Sequence, residues 1–73
     1  VQLLSQQRHA QAASELRRQL GHDPHDFVAH ALLAVCLLEQ EDFGEAQTEA
    51  ELAIHLAPAY DFAFYVLALV EQR

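Results

Sequence analysis

Pro24 and Pro58 stand 34 residues apart, and sliding the sequence by that interval superimposes far more than the prolines. Val1/Val35, Leu3/Leu37, Leu4/Leu38, Gln6/Gln40, Ala12/Ala46, Glu15/Glu49, Pro24/Pro58, Ala29/Ala63, Leu33/Leu67 and Ala34/Ala68 coincide, ten identities in 39 compared pairs. In a chain so rich in Ala and Leu, chance gives about four. The conservative pairs Leu20/Ile54, His30/Phe64 and Leu32/Val66 keep the same register. A period of this length marks a stacked array, in which each unit buries its apolar face on the next.

Within one period the punctuation separates two helices. Asp26 precedes "FVAHALLAVCLLEQ" and can accept from the free N–H groups of a first turn. Asp42, followed three residues later by Glu45, resembles a capping box, and Pro58 must end the helix that follows. In the earlier copy Arg8 stands where a cap belongs, so that entry should be weak. The pattern predicts an all-α chain of about five helices, near 1–6, 9–22, 26–40, 43–56 and 60–72. Loops of two to four residues make neighbours antiparallel. The units are a partial repeat over 1–24, a complete one over 25–58, and the first helix of a further one over 59–73.

Composition supports this reading and excludes others. The chain is 52% hydrophobic with two Gly and two Pro, which suits helices and neither disorder nor a loop-rich fold. The net charge of -7 is uneven: residues 1–24 sum to +1 and residues 25–73 to -8. With no Lys anywhere, a nucleic-acid surface is disfavoured. The longest apolar run, "FVAHALLAVCLL", is shorter than the ~20 residues of a membrane span, so no membrane insertion is expected of this segment. Cys36 has no partner for a disulfide and is read as a small buried hydrophobe. The compartment stays open, with the cytoplasm preferred because nothing demands an oxidising one. Beginning without Met and ending after an apolar helix, the chain is read as a piece of something longer.

The alanines are the informative residues. Ala46, Ala50 and Ala53 recur at steps of four and three, on the face of a helix that should be buried. Alanine there sacrifices apolar area but lets helix axes approach to the short end of the ~8–10 Å range. These features resemble the tetratricopeptide repeat, a helix–turn–helix unit of 34 residues. Its first helix asks for a bulky residue, Leu and a small residue. Phe64, Leu67 and Ala68 match, as do His30, Leu33 and Ala34 with histidine in the bulky place; Leu37 stands in the following aromatic place. The second helix asks for Ala, an aromatic, Ala and Pro, met by Ala46, Ala50, Ala53 and Pro58, with Ala50 replacing the aromatic. The earlier copy supplies Ala12, Leu16 and Pro24, with Gln19 in place of the second small residue. The resemblance implies an α-solenoid of antiparallel helix pairs, with these residues packing the repeats.

The first helix of the complete repeat carries a second apolar line, Val28, Ala31, Val35 and Leu38, continued by Phe62, Tyr65 and Leu69. By the resemblance, this line faces a concave groove where partner peptides lie. The implied function is a protein–protein interaction module receiving a peptide or helix. The alternative is self-association through the uncovered last helix, as a homo-oligomer or as part of a longer repeat array. Some family members hold a C-terminal carboxylate with groove Lys, Arg and Asn; this chain has no Lys or Asn, so that specialisation is not expected.

Other candidates weigh less. "GHDPHDFVAH" gathers His22, Asp23, His25, Asp26 and His30, but a proline breaks the segment, so a structural His30 is preferred to a metal site. Glu39, Glu41, Asp42, Glu45, Glu49 and Glu51 read as a solvated convex face, or as charge that steers a basic partner or pairs with Arg17 and Arg18 of a neighbouring molecule. Ser5 and Ser14 have no paired base and no phosphate-binding glycine loop is present. No catalytic residue, metal or cofactor is expected.

Overall fold

A computed structural model describes residues 2–72, with side chains from Gln7 to Gln72. Val1 and Arg73, the outermost residues of the expected repeats, lie outside the described residues. Four helices follow one another: α1 (Gln2–His22), α2 (Phe27–Glu39), α3 (Phe43–Leu56) and α4 (Asp61–Glu71). The two segments expected over 1–6 and 9–22 are one continuous helix. Arg8 is a poor cap but a good helix former, and no Gly or Pro interrupts "QQRHAQ", so nothing forces a break.

The turns are built as their residues require. Asp26 Oδ1 accepts from the Ala29 N–H at 3.1 Å, capping α2, and Gln19 Nε2 donates to Asp26 Oδ2 at 2.8 Å, tying that cap to α1. Between α2 and α3 the backbone N–H groups of Glu41 and Asp42 donate to the carbonyls of Leu38 and Leu37. This is a Schellman ending, with Glu41 at φ 63° where glycine is usual. The expected capping box at Asp42 does not form: its side chain makes no cap bond, and Glu45 accepts from Arg17 instead, at 3.3 Å. That pair lies within the chain, not between neighbouring molecules. Pro58 ends α3 at Leu56, as expected.

Each helix packs on the next, and α2 also packs on α4, whereas α1 and α4 make no contact among the described residues. Hairpins therefore stack side by side and do not close into a bundle. The 17 Å thickness admits two layers of helices at normal interaxial spacing, α2 and α4 in one, α1 and α3 in the other. Ala46, Ala50 and Ala53 are fully buried where α3 lies against α2 and α4. Opposite them, Leu33, Ala34 and Leu37 are buried in the main core with Val66 and Val70 of α4.

Candidate functional site

The exposed apolar surface begins on α2. Val28, Leu32 and Val35 follow steps of four and three, ending at exposed Glu39, so they form one line down the helix. Leu32 is 42% exposed and Val28 is also open. Two residues expected on this line lie elsewhere. Ala31 and Leu38 are buried, because at 100° per residue they sit a turn of the face away, toward α4. Ala31 joins Ala53 and Ala63 in a small second core under Phe27, Ile54, Tyr60 and Phe62. Leu32 was missed by the sequence reading, although its spacing from Val28 and Val35 gave the signal.

On α4, Phe62 and Leu69 are half-buried against the core and Tyr65 is 60% exposed. The rings of Phe27, Tyr60, Phe62 and Tyr65 form a chain, with successive centroids 5.1, 5.9 and 6.3 Å apart. Such edge-on and tilted contacts hold the aromatic wall in place. Helices α2 and α4 touch; Val28, Leu32 and Val35 share one face of α2, and Phe62 and Leu69 share one face of α4.

The residues expected to pack the repeats divide. His30, Leu33, Ala34, Leu37, Ala46, Ala50 and Ala53 are buried, while Leu16 and Leu67 are half-buried against the core. Ala12 is exposed and Ala13 is buried in its place. The cause is that α1 packs its apolar face on α2, through Ala13, Leu16 and Leu20. Phe64 and Ala68 are exposed, since no described helix covers that side of α4. Pro24 and Pro58 lie exposed in turns, so they act by ending helices and not by filling a seam.

His30 is the one buried polar side chain among the described residues. Its Nδ1 lies 2.6 Å from Glu49 Oε1 and its Nε2 2.8 Å from the Pro24 carbonyl. Both partners offer acceptor oxygens, so the protonated ring, with a hydrogen on each nitrogen, satisfies both contacts. Burial pulls its pKa down, but the bonds to Glu49 and Pro24 and the charges of Glu49 and Asp26 more than reverse this and leave it raised. His30 thus pins α2 to α3 and to the preceding turn, and neither ring nitrogen is free for a metal. In the same segment Asp23 accepts from the His25 backbone N–H, and Asp26 caps α2. Among the described residues no group of three or more His, Cys, Asp or Glu side chains is placed to hold a metal. Cys36 is buried in α2; burial first, and the charge of Glu39 second, push its thiol pKa up. A shallow depression of about 290 Å³ is lined by Glu15, Leu16, Arg18, Gln19 and His22, all from α1, so nothing closes over it.

Helical hairpins stacked side by side define an α-solenoid. Comparison with protein families gives its kind: a family model described as a tetratricopeptide repeat matches residues 3–69. The chain belongs to the tetratricopeptide repeat family. Searches of curated proteins and of solved structures found no match. Tetratricopeptide repeats generally mediate protein–protein interaction and are generally non-catalytic. No helix among the described residues is long and apolar enough to cross a membrane.

Proposed function

We propose that this chain is an interaction module that receives an apolar segment of another protein, a helix or an extended peptide, in the trough between α2 and α4. The observation that carries this reading is the open line Val28, Leu32 and Val35 beside the aromatic wall of Phe62 and Tyr65. Apolar side chains on adjoining helices, with Val28, Leu32 and Tyr65 open and Val35 and Phe62 only half-covered by the core, are what a partner segment would cover. Selection from a random displayed-peptide library against the chain tests it. Enriched peptides should carry apolar residues at helical or alternating spacing and lose binding to Leu32→Glu and Tyr65→Glu, while helicity persists. Peptides that bind both variants as tightly as the original chain reject the trough. Leu38→Glu is unsuitable, since Leu38 is core.

Self-association is the second reading, and Phe64 favours it. Phe64 is 47% exposed, whereas His30, its equivalent one period earlier, is buried under α3. A second copy could cover α4. Sedimentation across a dilution series decides: association that Phe64→Glu abolishes supports this reading, and a concentration-independent monomer rejects it.

A further inference from the structure

The trough is uneven in charge along its length. Both α2 and α4 are joined to α3 by short turns and run antiparallel to it, so they run parallel to each other and their C-terminal ends lie at the same end of the trough. That end carries exposed Glu39, Glu41 and Asp42, whereas Glu71 continues the Phe64–Ala68 line on the other side of α4. No Lys or Arg occurs in α2, α3 or α4 to neutralise them. Glu39 itself closes the Val28–Leu32–Val35 line. An apolar floor thus leads toward an acidic end, and among the described residues no side-chain hydrogen bond or ion pair engages Glu39, Glu41 or Asp42; Arg17, the cation paired with an α3 acid, is bound to Glu45.

We infer that the trough takes a cationic amphipathic segment of another protein, with its apolar side along Val28, Leu32, Phe62 and Tyr65 and its Lys or Arg residues at the C-terminal end of α2, beside Glu39, Glu41 and Asp42. This rests on the trough reading and adds the partner's charge. A partner of the opposite sign would bring its acids against Glu39 and Glu41 and be repelled.

The test uses three synthetic peptides of about five helical turns. One places Leu on one face and Lys on the other, one has Glu for every Lys, and one shuffles the first so that no apolar face remains. Fluorescence anisotropy should show the Leu/Lys peptide binding at least about tenfold more tightly than either other, with an affinity that falls as salt rises. Leu32→Glu and Tyr65→Glu each add an acid, so attraction to net charge alone would strengthen binding. Seating in the trough predicts a loss of about tenfold or more instead. Leu32 and Tyr65 are both exposed, and circular dichroism checks that each variant stays helical.

Equal binding of the Lys and Glu peptides, both weakened by Leu32→Glu, overturns the charge assignment and leaves the trough reading standing. Binding of the shuffled peptide as tightly as the Leu/Lys peptide, or binding unchanged or strengthened in both variants, overturns seating in the trough as well. Absence of binding by the Leu/Lys peptide overturns the inference, as does self-association that Leu32→Glu abolishes, which would make a second copy the occupant.

Discussion

Helices α2 and α4 hold equivalent places in successive units, yet they live in different surroundings. His30, Leu33 and Ala34 of α2 are buried beneath α3, whereas Phe64 and Ala68 of α4 are exposed and Leu67 is only half-covered. Similar residues at one register therefore meet opposite fates. A stacked array sets the demand of each position through its sequence, and the neighbouring helix decides whether that demand is met. The central unit, closed on both sides, should carry most of the stability.

The sharpest way to break this contrast is truncation. Leu37→Ala, in the closed unit, should cost about 2–5 kcal/mol in denaturant unfolding. Phe64→Ala should cost under about 1 kcal/mol. Equal losses would mean that α4 is as well covered as α2. Overpacking comes next. Ala50→Leu should destabilise by roughly 1–3 kcal/mol, because α3 has no room between α2 and α4. Ala12→Leu on the open face of α1 should stay within about 0.5 kcal/mol.

A third experiment exchanges the two helices' own residues. His30→Phe gives α2 the side chain that α4 carries. In the original chain His30 has a raised pKa when folded, so its contribution is complete below the ordinary value of 6.5 and is lost as pH rises through the folded value. Melting temperature should therefore fall across that interval, and His30→Phe should flatten the profile there. A slope that survives the substitution assigns it to another group. The smallest effect compares the two helix caps. Asp26→Ala should lower the melting temperature measurably, since Asp26 bonds both Ala29 and Gln19, while Asp42→Ala, with no cap bond to lose, should barely change it.

Much of this was legible in the residues. Two prolines, the 34-residue period and Ala46, Ala50 and Ala53 lead to the hairpin stack, because each signals a local geometric need that tertiary packing does not alter. Facing was harder to read. The sequence line through Val28, Ala31, Val35 and Leu38 mixes two helix faces, and only the position of α4 shows that Ala31 and Leu38 point inward. Ala12 and Ala13 are a similar case: both are small, and the docking angle of α1 selects Ala13. The bond from His30 to Glu49 joins residues 19 apart. Its members stood in the sequence as separate candidates, one in a metal cluster and one on a solvated face, because nothing local reports their meeting.

Cys36 gives the closed unit a gauge of its own breathing. A sulfhydryl shielded by the protein and reluctant to ionise stays silent toward alkylating reagents while α2 is seated. The pace of its modification then counts how often that helix lifts away, and an occupant lodged in the trough would slow the clock without touching sulfur.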